Sequence, residues 1–420
     1  MAAAQAETAP STARGTQHPW VQLVFALLAM IMIANLQYAW TLFVGPIQRA
    51  NGWKLAEVQL AFTLFILLQT WVQPLDGWLI DRLGPRLFIT AAGVLCGFGW
   101  TAMGYASTLT QLYTFYAIAG VGAAFVYSGC IGSALKWFPS RRGFASGIIA
   151  AGFGGGTALF IPIITALIRQ YSYHTAFLVT GVLQGIVIAA AAQFLRHPGP
   201  EFESVKPSPG PKSKARRSSE HFSTGEMLKT AQFYMLYIMF VAMATGGLLV
   251  TAQAGPLVAS WGLAAAALTA ATALSPVANG GSRIFWGWLS DRTGREVAMA
   301  IAFFLQAGCL LAVLTIGRTS GTWFTITLVL TFFTWGEVFS LFPSTLGDYF
   351  GSRHSTSNYG ILYSAKGVAS IIGGFTAAKI YEQFGSWDSV FYGSAALALA
   401  AGILALILKS RPLPRRLPSG

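Results

Sequence analysis

The chain has 420 residues, 54% of them hydrophobic and only 10% charged. A soluble domain carries about 25% charged residues, so a water-soluble globular protein is excluded. The net charge of +13 would suit a nucleic-acid binder, but the basic residues sit between apolar runs, and no nucleic-acid partner is expected.

In chain order, the first twenty residues are small and polar, and the first apolar run is too long for the core of a cleavable signal. Runs long enough to cross a ~30 Å hydrocarbon core as helices fall at Val21–Val44, Ala56–Leu75, Leu87–Met103, Leu112–Leu135, Phe144–Ile168 and Thr175–Leu195. A polar stretch follows, and then Ala231–Ala254, Gly262–Leu289, Val297–Ile316, Phe324–Leu346, Asn358–Ile380 and Ser389–Leu408. The reading is an all-α polytopic membrane protein with twelve transmembrane helices, six in each half. Pro198, Pro200, Pro207, Pro209 and Pro211 forbid a helix in the stretch between the halves. Its basic cluster, Lys212, Lys214, Arg216 and Arg217, reads as part of a solvated linker.

With both termini cytoplasmic, 20 of the 27 Lys and Arg lie on cytoplasmic segments and 5 on outer loops. That is the asymmetry of cytoplasmic loops in multi-pass proteins. The expected location is the cell inner membrane, in contact with the lipid bilayer, as a monomer. Cys96, Cys130 and Cys309 all fall inside spans and form no metal motif. No histidine cluster, metal spacing or nucleophile motif is present, so neither an enzyme nor a bound cofactor is expected.

The halves repeat. Gly77-Trp-Leu-Ile-Asp81-Arg82-Leu-Gly84 follows the second span, and Gly287-Trp-Leu-Ser-Asp291-Arg292-Thr-Gly294 follows the eighth, 210 residues later. Glycine at 84 and 294 permits a tight turn with positive φ. Asp81, Arg82, Asp291 and Arg292 suit a charged clasp that forms in one conformational state and breaks in the other; a loop-ordering salt bridge is the simpler reading. This pattern resembles the loop signature of the major facilitator superfamily. The resemblance implies two six-helix bundles around a central cavity. The N-terminal bundle would span residues 21–195 and the C-terminal one 231–408. Cytoplasmic tails at 1–20 and 409–420 and a cytoplasmic linker at 196–230 would complete the chain.

The informative residues are the charges inside spans. A cation at the centre of a membrane helix costs about 2.5–3.5 kcal/mol on insertion scales. Arg283 and Lys366 each lie eight residues from a cytoplasmic helix end, about 12 Å deep at 1.5 Å per residue. No acid is an obvious partner for either. Facing one cavity, they form a two-point anion site, Arg offering a planar fork and Lys a point charge. Glu337 is the acid clearly deep in the membrane. Trp335 and Phe339, at i and i+4, share a face from which Glu337 points away; it is a candidate proton-coupling group. Polar and aromatic residues supply further lining: Gln37, Tyr38, Trp40 and Thr41 in the first span, Gln59 in the second, Tyr127 in the fourth, and Tyr363 and Ser370 on the same face as Lys366. The fifth span carries Gly147, Gly152, Gly154, Gly155 and Gly156, which allow close helix crossing. Asp76 is expected to join the network of the adjoining loop.

Four segments narrow the resemblance: Gln37-Tyr38-Ala-Trp40-Thr41-Leu, Asn279-Gly-Gly-Ser-Arg283, Phe333-Thr-Trp335-Gly336, and Asn358-Tyr359-Gly360 onward to Lys366. They are similar to the bacterial oxalate/formate antiporter branch of the superfamily. That similarity implies an arginine and a lysine that bind two carboxylates, at Arg283 and Lys366. It also implies aromatic walls at Tyr38, Tyr127 and Trp335, with Gln37 nearby. Phe153, Phe339 and Tyr363 depart from that branch, and Glu337 stands where it can have glycine. The expected function is exchange of small carboxylate anions by alternating access. The alternative is a proton-coupled monocarboxylate symporter in which Glu337 couples.

Overall fold

Backbone polar groups find no partner in hydrocarbon, so a chain that crosses a bilayer closes its hydrogen bonds within helices or closed barrels. The computed structural model describes residues 18–138, 142–198, 216, 218, 220–351 and 354–415; the side chains of residues 77, 78, 81, 82, 142–144, 146, 355 and 356 lie outside that description. The described residues form helices and no strand.

The N-terminal half comprises α1 (Pro19–Tyr38), α2 (Leu55–Asp76), α3 (Leu83–Met103), α4 (Leu109–Trp137), α5 (Gly147–Gln170) and α6 (Tyr173–Ala192). The C-terminal half comprises α7 (Ala231–Ser260), α8 (Ala265–Thr293), α9 (Arg295–Thr319), α10 (Gly321–Phe350), α11 (Ser357–Phe384) and α12 (Asp388–Ser410). Each corresponds to a predicted span. Eleven of these stretches are long and apolar enough to cross a membrane by themselves. The exception is α8, whose 29 residues include buried Ser275, Asn279, Ser282, Arg283 and Ser290. Their spacing puts them on one helix face. The opposite face turns Leu274, Val277, Ile284, Phe285 and Trp288 outward. Low hydropathy here marks a helix that faces protein on its polar side.

Within the first half, α3 packs between α4 and α6, and α2 lies on α4. Within the second, α9 packs on α12 and α10, α8 on α10, and α7 on α11 and α12. The halves meet along two main seams, α2 with α11 and α5 with α8. The 210-residue repeat carries α2 onto α8 and α5 onto α11, so the two seams are copies of each other. Small residues set their closeness: a Cβ added at Gly154 of α5 would lie 2.6 Å from the Pro276 carbonyl of α8. The repeated turn has the conformation its glycines predict, with φ of 75° at Gly84 and 94° at Gly294.

Arg216 does not stand free in solvent as the linker's composition suggests. It donates to the carbonyls of Lys409 (2.8 Å) and Arg411 (2.9 Å), a cation placed on the C-terminal carbonyls of α12. Lys212, Lys214 and Arg217 lie outside the described residues. Asn358 Nδ2 donates to the Phe222 carbonyl at 3.1 Å, and Thr224 Oγ1 donates to Asn358 Oδ1 at 2.9 Å. The end of the linker is thereby strapped to the start of α11.

Candidate functional site

The helical ladder of α10 is interrupted between its segments Gly321–Trp335 and Val338–Phe350. Glu337 N–H reaches only the Thr334 carbonyl, at 3.4 Å, so the Phe333 carbonyl is left without its usual donor. Trp286 Nε1 of α8 supplies one at 2.9 Å, and Asn279 Nδ2 donates to the Phe332 carbonyl at 3.0 Å. These two side chains stand one turn either side of Arg283 and join α8 to α10 as a unit. Arg283 is buried at 8% exposure. Its Nη2 donates to Asn279 Oδ1 (3.1 Å) and its Nη1 to the Ala150 carbonyl of α5 (3.4 Å). Its Nε has no partner.

Lys366 is fully buried. Its Nζ donates to Gln37 Oε1 (3.0 Å), Gln69 Oε1 (3.0 Å) and Tyr363 OH (3.4 Å). The two glutamines belong to α1 and α2, in the opposite half. Beyond Lys366 the α11 backbone changes to a π-helix at Ile371–Thr376, a local irregularity frequent at functional sites. The π-segment is held from outside its own helix. Thr63 Oγ1 of α2 donates to the Ser370 carbonyl (3.0 Å) and accepts from Phe375 N–H (3.2 Å). Gln253 Nε2 of α7 donates to the Gly374 carbonyl (2.8 Å).

Both cations face one ring. Arg283 Cζ lies 4.4 Å and Lys366 Nζ 5.9 Å from the centroid of Phe339, so about 10 Å at most separates the charges. From Phe339 a chain of aromatic contacts encloses them. Trp335 lies 5.5 Å from Phe339 and Phe332 5.5 Å from Trp335. Tyr38 follows at 6.1 Å, Phe153 at 5.4 Å and Tyr127 at 5.5 Å. Tyr363, 6.2 Å from Tyr127 and 6.4 Å from Phe339, closes the circuit. Arg283, Lys366, Gln37, Tyr38, Tyr127, Trp335 and Tyr363 are thus one cluster spanning both halves. It also contains Phe339, expected only as sharing the Trp335 face, and Gln69, which sequence reasoning did not assign to the lining.

Other candidates lie elsewhere. Glu337 is fully buried, its two carboxyl oxygens have no hydrogen-bond partner, and among the described residues it pairs with neither cation. Asp76 is buried and accepts from Ser128 Oγ of α4; the side chains at 77, 78, 81 and 82 in the adjoining loop, which it was expected to join, lie outside the described residues. Asp291 pairs with Arg295 at 2.9 Å, Arg295 also pairs with Asp348 at 3.0 Å, and Arg292 stacks on Trp288 at 4.2 Å. Every partner in that set belongs to the C-terminal half. The side chains of Asp81 and Arg82 lie outside the described residues.

The sequence pattern that defines the Major Facilitator Superfamily matches residues 25–374. The chain belongs to the major facilitator superfamily. It is 39% identical over 392 residues to the oxalate:formate antiporter of Oxalobacter formigenes, covering 93% of this chain and 92% of that one. Monocarboxylate transporter 13 of Rattus norvegicus is 22% identical, covering 92% and 88%. Apicoplast pyruvate carrier 1 of Toxoplasma gondii is 22% identical, covering 87% and 76%. The protein is a multi-pass membrane transporter of the major facilitator type, and its relatives are transporters rather than enzymes.

Proposed function

We propose that the chain exchanges small dicarboxylates, oxalate foremost, for a second small carboxylate such as formate, by alternating access. The observation that carries this reading is the convergence of Arg283 and Lys366 on Phe339, with no carboxylate on either among the described residues. Desolvating a charge costs several kcal/mol. The neutral oxygens on Lys366 offset part of that, at about 1.5–3 kcal/mol for each hydrogen bond to a charged group, but they leave the positive charges uncancelled. A dianion bound between the two cations cancels both and favours the occluded state. The loaded carrier then reorients faster than the unloaded one, which is the differential stabilisation exchange requires. The 39% identity to an oxalate:formate antiporter supports the same substrates. In this reading the termini are cytoplasmic, the membrane is the inner one, the working unit is a monomer, and the charged residues Asp81, Arg82, Asp291 and Arg292 make and break contacts as the bundles rock.

A second reading has two observations behind it. Glu337 is a buried carboxyl with no partner, as a proton carrier would be, and monocarboxylate transporters are among the relatives. Uptake of labelled oxalate into liposomes holding oxalate, formate, lactate or no anion separates the two. Exchange predicts uptake that needs a trapped anion and is lost in both Arg283→Gln and Lys366→Gln. Lactate uptake driven by an imposed pH gradient and lost in Glu337→Gln, without oxalate uptake, would replace exchange with proton symport.

A further inference from the structure

An ammonium has three donors, and those of Lys366 meet three neutral oxygens, on Gln37, Gln69 and Tyr363. A carboxylate that binds Nζ directly displaces one of them, so anion binding at this cation is a swap of oxygens. Gln69 differs from the other two in its mounting. It stands on the α2–α11 seam between two bonds across that seam. On one side Trp71 Nε1 donates to the Ser364 carbonyl at 3.2 Å, and on the other Thr63 Oγ1 donates to the Ser370 carbonyl at 3.0 Å. The helices touch closely there: a Cβ added at Gly367 would lie 2.6 Å from Thr70 Oγ1. While this seam is closed, Gln69 therefore presents its oxygen to the cation of the opposite bundle from a place set by the seam's own contacts.

We infer that Gln69 is a positioning residue that stands in for the substrate carboxylate on Lys366 when the carrier is unloaded. The inference rests on the anion-exchange reading above and goes beyond it by assigning what limits the exchange. The amide oxygen satisfies a donor without cancelling the charge. Unloaded reorientation is therefore slow but not forbidden, and Gln69 sets the ratio of exchange to net flux. Removing the oxygen leaves Lys366 dependent on substrate; giving it a negative charge makes substrate dispensable.

The test uses the full chain in liposomes loaded with radiolabelled oxalate. Efflux is followed into buffer with and without external oxalate, and the KM of exchange is measured alongside. Gln69→Leu raises the exchange-to-net ratio about tenfold and lowers KM, the effect of removing one competing charge-assisted bond. Gln69→Glu, of nearly the same shape, brings the ratio toward one and raises KM. Ratios within twofold of the parent in both variants would overturn the inference, as would equal losses of both fluxes at unchanged KM. If Gln69→Leu does not fold, Gln69→Glu alone decides by the same ratio. If efflux from the unsubstituted protein is not stimulated by external oxalate or formate, the exchange reading fails first, a result that involves no variant.

Discussion

The two cations of the cluster are mounted in different ways. Arg283 is held by its own half: Asn279 orients it, and Asn279 and Trp286 bind α8 to the broken ladder of α10. Its one bond to the other half is to a backbone carbonyl at 3.4 Å. Lys366 takes two of its three partners from the other half and precedes a π-helical segment that α2 and α7 side chains hold. A planar fork suits a fixed anchor, and a compact ammonium suits a site whose partners change. Under the proposed exchange the difference would divide the work: Arg283 would keep the anion in register, while Lys366 would report to the opposite bundle whether an anion is present.

The strongest way to break this comparison is to exchange the cations. Arg283→Lys is expected to lower oxalate exchange about a hundredfold, because a point charge cannot replace an oriented fork. Lys366→Arg is expected to cost about tenfold, since charge matters more than shape there. Equal losses in transport assays would erase the distinction. Next comes Asn279→Ala, which frees Arg283 and unties α10. It should raise KM for oxalate about tenfold, or ~1.4 kcal/mol, and Asn279→Asp should not restore it, because a carboxylate would occupy Arg283. Phe339→Leu removes the ring shared by both cations. At about 0.5–2 kcal/mol for a cation over a ring, a several-fold rise in KM is expected, larger for dicarboxylates than for formate. The smallest effect is expected from Asp291→Asn. Its carboxylate is 45% exposed, and exposed pairs contribute about 0–1 kcal/mol, so the melting temperature should fall by little while exchange persists.

The fold was legible because hydrocarbon imposes a length and a polarity that composition reveals directly. Even α8, the least apolar helix, was marked by the repeated loop after it. Arg283 and Lys366 were legible for the same reason, as charges where charges are expensive. Gln69 was not, because a neutral amide in a span is a weaker signal than a charge, and only the fold brings it to Lys366. Phe339 was legible only as sharing a face with Trp335; that α8 and α11 both bring a cation to its ring follows from the fold alone. The strap formed by Asn358 on Phe222 was equally hidden, since its partner is a backbone carbonyl of the linker.

A two-point site is measured most directly by the affinity of two anions. Oxalate and formate binding to the purified protein would be compared for the parent, Arg283→Gln and Lys366→Gln. Two-point recognition predicts that oxalate loses about thirtyfold or more in each variant, from about 2–5 kcal/mol for one member of a buried charge pair. Formate, with one carboxylate, would lose strongly in only one of them. Oxalate affinity that survives either substitution unchanged would contradict the two-cation site.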